Sequence, residues 1–335
     1  MRLILLGDVM LGRLVNDALT VLPPTYPWGD TLPVLLTADG LFLNLECVIS
    51  DGGSPWPGKI FTFRSDARNA EVLKTARVTA VSLANNHSLD YGPRALEDCL
   101  SVLRRTGVGA AGAGKTIEEA SAPARHAMGQ TTAALVAWTD NEPAWEAGPA
   151  TPGVFYVPLD PRDSRFDHLT SVIKNASEAS NLVIVSAHWG PNWGASPPPE
   201  HVEAAHRFIE AGADVVFGHS AHVTRGIELY RGRPILYGCG DFIDDYAVDE
   251  NARNDHSFIA ALEGDGTHLR RLVLIPAVIR RLQAQLAQGP ERREIIQRLR
   301  LLCAECGTAT HEVHEGLEIK IQRPPDGRGP PGVLI

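Results

Sequence analysis

Several short apolar runs in this chain each end on an acid, an amide or an imidazole, and that recurrence restricts the fold more than any other feature. Gly7-Asp8 follows the run at residues 2–6, and Asn44-Leu45-Glu46 follows residues 40–43. Asn85-Asn86-His87 follows residues 79–84, His188-Trp189-Gly190 follows residues 181–187, and Gly218-His219-Ser220-Ala221-His222 follows residues 213–217. An apolar run of about four to eight residues reads as a buried strand. The residue leaving its carboxyl end points into the crevice where open α/β sheets bind ligands. Strand ends carrying only Asp, Glu, Asn and His point to one site assembled from distant parts of the chain. Those residue types suit a divalent metal with oxygen and imidazole ligands.

Composition narrows the field. Hydrophobic residues make up 44% of the 335, enough for one large core or one large and one small domain, and charged residues at 21% argue against a disordered or supercharged chain. A formal net charge of -9 argues against a nucleic-acid binder, which needs a surplus of Lys and Arg. No run of about 18 apolar residues occurs, so no membrane span is expected. Arg2 before apolar residues imitates a signal peptide, but Gly7-Asp8 interrupts the run and no small-residue cleavage site follows. The cysteines Cys47, Cys99, Cys239, Cys303 and Cys306 form an odd, scattered set that fits reduced thiols, so a cytoplasmic location is expected.

Between the apolar runs lie segments of helical period, at residues 32–37, 67–77, 94–106, 167–179 and 200–211, with Gly107 and Gly212 placed to end two of them. Strands are expected at residues 133–138, 182–187 and 214–217, and this alternation implies a largely parallel sheet. Beyond His222 the pieces shorten. Residues 227–230, 233–237, 256–262 and 269–275, parted by turns, read as antiparallel strands, and residues 277–300 as one or two outer helices broken near Gly289-Pro290. One domain over residues 1–320 is expected, with residues 321–335 as a loose Pro- and Gly-rich tail.

Taken together, the motifs resemble the CapA family of poly-γ-glutamate capsule biosynthesis proteins. The matching stretches are Gly7-Asp8-Val9-Met10-Leu11-Gly12-Arg13, Asn44-Leu45-Glu46, Leu83-Ala84-Asn85-Asn86-His87, His188-Trp189-Gly190, Gly212 through His219, and Tyr237-Gly238-Cys239-Gly240-Asp241-Phe242. They run in the family's order from residue 1 to about 262. The resemblance implies an α/β fold of the calcineurin-like metallophosphoesterase type, a four-layer α/β/β/α sandwich. It also implies one or two divalent ions, Mn, Fe or Zn. Three departures stand out: Met10 replaces the His of that superfamily's first motif, Glu46 replaces a bridging Asp, and one extra residue separates His219 from His222.

On this reading Glu46, Asn86, His188 and His219 hold one ion with an open position. Asp8 and His222 complete a second site or form an acid–base pair, with Asp8 fixing the imidazole's tautomer. His87 faces the substrate as a proton carrier, and Asp241 supports the ligands from behind. Asn44, Lys59, Arg64, Asn85 and Trp189 are expected to contact substrate, the two cations recognising a carboxylate or phosphate. Trp193 flanks the same Gly/Pro-rich stretch as Trp189. Cys303, Cys306, His311 and His314 have spacing compatible with zinc, but buried free thiols on a helix account for the cysteines more simply.

The expected substrate is anionic: a phosphoester, poly-glutamate or a peptide. Three functions are open at this point. The first is a metal-dependent hydrolase. The second is a metal-independent peptide epimerase, with Asp8–His222 as base and His87 or Cys239 as donor. The third is a non-catalytic polymer-binding component.

Overall fold

The computed structural model describes residues 1–322, so the expected tail lies almost wholly outside the described residues. Two sheets carry the architecture. The larger has strands in the order His311–Glu312, Leu317–Lys320, Leu269–Arg280, His256–Gly264, Arg2–Val9, Gly40–Leu45, Ala80–Ser82 and Gly109–Ala111. The smaller runs Ile227–Tyr230, Arg233–Leu236, Val215–His219, Leu182–His188, Thr131–Thr139 and Ala124–Met128. The central strands of each sheet are parallel: Arg2–Val9 with Gly40–Leu45, and Leu182–His188 with both Thr131–Thr139 and Val215–His219.

Side-chain alternation decides which face meets what. Leu3, Leu5 and Phe42 of the larger sheet pack against Leu135, Leu182, Ile184 and Phe217 of the smaller, forming the core between the sheets. Their neighbours Ile4, Leu6, Leu41 and Leu43 point the other way, against Val72, Leu73, Leu96, Cys99 and Leu103 of helices Ala70–Thr75 and Gly92–Thr106. On the far side, Val136, Trp138, Val183 and Val216 meet Phe166, Leu169 and Phe208 of helices Ser164–Ala179 and Pro199–Ala211. Each such aliphatic side chain contributes roughly 1.5–3 kcal/mol on burial. Slipping one strand by a residue would exchange its two faces, which pins the register. The result is helix, sheet, sheet, helix: the expected four-layer sandwich.

One expectation fails. Residues 277–300 do not form helices from their start; strand Leu269–Arg280 continues, turns, and returns as Gln283–Leu286 before helix Gly289–Glu305 begins. The two-residue turn Arg281-Leu282 is left-handed at both positions, φ 54° and 62°, which matches the twist of a tight hairpin. Neither residue advertises that conformation, because Gly or Asn is the usual marker. Elsewhere the expected helices appear with small shifts, and Gly107 ends Gly92–Thr106 in the left-handed conformation at φ 78°.

Candidate metal centre

The parallel strands deliver their polar ends to one place. Asp8 pairs in register with Asn44 on one side and Asp241 on the other, and His188 pairs with His219 across the smaller sheet. Glycine makes the close approach possible. A Cβ on Gly7 would lie 1.9 Å from the Gly240 carbonyl oxygen, and one on Gly218 would lie 2.5 Å from both Trp189 Nε1 and the Tyr237 carbonyl oxygen. The turn that carries both histidines is strained: Ser220 and His222 are left-handed, at φ 95° and 57°.

Two donor sets emerge, and Asp8 belongs to both. Asp8, His188 and His219 offer ligand atoms within 4.8 Å of one another, as do Asp8, Glu46, His222 and Asp241. The distances therefore group Glu46 with His222 and Asp241, and not with His188 and His219 as the sequence had suggested. Asn86 stays with the histidines, its Oδ1 lying 3.0 Å from His188 Nε2. His188 Nδ1 faces His219 Nδ1 at 2.8 Å, and Ser186 Oγ lies 2.6 Å from His219 Nε2. His222 Nδ1 donates to Asp241 Oδ1 at 2.8 Å, so Asp241, and not Asp8, sets that imidazole's tautomer.

Asn44 and Asn85 build a chain behind Asp8. Asn44 Nδ2 donates to Asp8 Oδ1 at 2.8 Å, and Asn85 Nδ2 donates to Asn44 Oδ1 at 3.0 Å and to the Leu45 carbonyl at 2.8 Å. Both amides are fully buried, so they orient the carboxylate instead of reaching a substrate.

The electrostatics divide the same way. Burial, reinforced by Asp8, raises the Glu46 carboxyl well above its ordinary range, and burial also raises Asp241. Burial and the neighbouring imidazole push His188 well down, and burial takes His219 to about 4 against the pull of Asp8. Burial opposes the charged form of His222, but Asp241, Glu46 and Asp8 outweigh it and hold that imidazole well above its usual value. Neither carboxylate oxygen of Glu46 has a hydrogen-bond partner, nor has Asp241 Oδ2. Buried carboxylates facing one another with one imidazolium among them lack positive charge, and a divalent cation fits that deficit.

A cavity of about 670 Å³ opens over this cluster, lined by Lys59, Phe61, Phe63, Asn86, His87, Trp193, His222 and Tyr246 among others. His87 donates from Nδ1 to Asp90 Oδ2 at 2.6 Å and stacks on Phe63 with ring centroids 3.9 Å apart. Burial lowers its pKa against the opposing Asp90. The Lys59 ammonium lies 2.8 Å from Asp90 Oδ1, donates to the Asn86 carbonyl and sits 4.2 Å from the Trp145 ring centroid. Arg64 does not line the cavity; its guanidinium stacks over Tyr91 and donates to the Gly52 carbonyl. Trp189 is fully buried, stacked on His201 with its Nε1 donating to the Tyr237 carbonyl, and leaves no face for a substrate. Trp193, at the other end of the same stretch, lines the cavity. Asp90 escaped the sequence reading, although its place three residues after His87 on the same loop was a usable signal.

Cys239 lies in the core between the sheets, and burial raises its thiol, so it does not face the cavity as a proton donor. Cys303 is buried while His311 and His314 are exposed, and the Cys/His run is absent from the metal-capable groups among the described residues.

A fold of this layering with metal-suited donors at its strand ends defines the metallophosphoesterase type. Consistent with that, the crystal structure of a novel phosphatase from Mycoplasma pneumoniae superposes with a TM-score of 0.51 at 13% identity, covering 83% of this chain and 93% of that one. The family described as "Bacterial capsule synthesis protein PGA_cap" matches residues 2–246, and the chain belongs to it. It is 33% identical over 311 residues to the "Probable polyglutamine synthesis accessory protein" of Mycobacterium tuberculosis, covering 88% of this chain and 81% of that protein. To the "PGA biosynthesis protein CapA" of Bacillus subtilis it is 27% identical over 242 residues, covering 71% of this chain and 62% of that protein. No helix among the described residues is long and apolar enough to cross a membrane.

Proposed function

We propose that this protein is a divalent-metal-dependent hydrolase of phosphoesters that serves the assembly of an anionic capsule polymer. One observation carries the reading: Asp8 stands in two buried donor sets beneath a cavity, and Glu46 beside it has no hydrogen-bond partner for either oxygen. Asp8, His188, His219 and Asn86 would hold one ion, and Asp8, Glu46 and Asp241 the other, joined by His222 once its Nε2 gives up its proton. Bound there, such ions supply Lewis acidity and lower the pKa of water.

The chain's own residues do the rest. Asp90 keeps the Nδ1 proton on His87, so in the neutral imidazole Nε2, 3.9 Å from Glu46 Oε1, carries the lone pair and serves as a proton acceptor beside the donor cluster. Its lowered pKa keeps it in that form at neutral pH. Lys59, tied to Asp90, adds positive charge where an anionic group docks. The Asn44–Asn85 chain fixes the rotamer of Asp8. The epimerase reading loses its thiol donor, because Cys239 is sealed in the core.

The test is metal content of the purified protein by mass spectrometry, with phosphodiester turnover measured with and without chelator. Bound divalent metal and chelator-sensitive turnover are expected. A metal-free protein, or turnover that survives excess chelator, would overturn the hydrolase reading.

A further inference from the structure

The walls of the cavity say more than its floor. Around the mouth stand Ile60 and Phe61, exposed by 86% and 63%, and Trp193, exposed by 44%. Apolar side chains of that size, grouped at one opening, mark a binding surface. Trp193 is held there deliberately. Its backbone is left-handed at φ 71°, its N–H donates to the Ala221 carbonyl at 2.9 Å, and its carbonyl accepts from the buried Arg225 guanidinium at 2.9 Å. A strained, non-glycine conformation persists only where the surroundings over-determine it. Here they press an indole toward solvent at the edge of a cavity.

The charged groups of the same wall are few and already matched. Arg13 lies 3.2 Å from Asp245, and Lys59 lies 2.8 Å from Asp90 and 3.6 Å from Glu142. A polyanion needs a row of unmatched cations along its path, and this wall supplies none, on a chain whose net charge is already -9. One anionic group at Asn86, His87 and His222 is accommodated; a continuous series of carboxylates is not.

We infer that the cavity takes an ester in which one anionic group is joined to a ring-bearing apolar body, the body lying against Phe61 and Trp193. This rests on the hydrolase reading for the placement of the anionic group over the donor cluster. Poly-glutamate itself would then be the product of a neighbouring reaction and not the ligand of this pocket.

The experiment is calorimetric titration of the purified, metal-supplemented protein with two non-hydrolysable probes, phenylphosphonate and methylphosphonate, and with a poly-γ-glutamate oligomer. Wild type, Phe61→Ala and Trp193→Ala are compared, and thermal melts confirm that trimming these exposed side chains leaves the fold intact. Phenylphosphonate is expected to bind roughly tenfold tighter than methylphosphonate, with that ratio falling toward one in each variant. Equal affinity for the two phosphonates, binding of neither, or tighter binding of the oligomer overturns the inference. A second measurement separates the two proposals. If the phenyl preference holds but no phosphodiester is turned over, the hydrolase reading falls and the ligand class stands. If phenyl and methyl phosphodiesters are hydrolysed with equal KM, the ligand class falls and the hydrolase stands.

Discussion

Among the described residues, two clusters bring one imidazole and two or more carboxylates within ligand distance of one another: Asp8, Glu46, His222 and Asp241 at the strand ends, and Asp255, His256 and Glu291 at the start of helix Gly289–Glu305. Their donor types are similar, but their charge balance is not. In the second, Arg253 grips Asp255 through two contacts of 2.8 and 3.0 Å, and Arg280 lies 2.6 Å from Glu291. In the first, the acids face imidazoles and not guanidinium groups: His222 lies 2.8 Å from Asp241, His219 3.6 Å from Asp8 and His87 3.9 Å from Glu46, and Glu46 accepts no hydrogen bond. Proximity of ligand atoms alone therefore does not make a metal site. A buried carboxylate whose charge the protein leaves uncompensated is the stronger sign.

The largest effect expected from this contrast follows Asp8→Asn. Asp8 serves both donor sets, so the variant should lose bound metal and on the order of 100- to 1000-fold in phosphodiester turnover. Asp255→Asn, by contrast, should leave metal content unchanged, because an arginine already balances that acid. Equal losses in the two variants would erase the distinction. Next in size, Glu46→Gln and His188→Ala should each remove one ion of a pair and leave the other. Metal analysis of both variants checks this; complete loss in either would mean that the two sets fill only together.

How much of this was legible in the chain depends on what each residue's signal was. Apolar runs announced the central strands because burial on both faces leaves few alternatives to Leu, Val and Ile, and their polar ends announced the site. The pairing of donors was not legible. Whether Glu46 stands with His188 or with His222 depends on which strand lies beside which, and Asp241 joins through a short strand parallel to Arg2–Val9 whose three residues carry no pattern. Trp189 and Trp193 show the same limit: both flank one loop, yet one is core and the other forms the cavity wall. The hairpin at Arg281-Leu282 was missed because neither residue is a customary turn former.

A smaller effect is expected from Asp90→Asn. The amide cannot hold the Nδ1 proton of His87 as a carboxylate does, and it also deprives Lys59 of the nearer of its two carboxylate partners. Turnover should fall by roughly 10- to 100-fold with metal content intact, in the range expected of a group that orients a catalytic base. Loss of metal instead would place Asp90 in the holding of the ion.

The smallest effect is in stability, and there the contrast between the clusters becomes one of sign. Unfolded, Glu46 titrates near its ordinary 4.5, whereas burial and Asp8 raise it well above that in the folded, metal-stripped protein. A raised carboxyl contributes stability that is complete below about 4.5 and is lost as pH climbs through the folded value. His219 runs the opposite way: lowered from 6.5 to about 4, it contributes stability above 6.5 that is lost as pH falls toward 4. Glu46→Gln removes the alkaline loss and leaves the acid one. In chelator at pH 8 the variant should therefore melt above wild type, by about 1–2 °C for each kcal/mol regained. Asp255→Asn should do the reverse under the same conditions. Burial works against its charge but Arg253 prevails and lowers its pKa, so its carboxylate stabilises the fold throughout the range above its ordinary 3.8. Differential scanning calorimetry on both metal-stripped variants decides the matter. A lower melting point for Glu46→Gln would show that Glu46 is compensated within the protein, and the reason for assigning a cation to its cluster and not to the other would be gone.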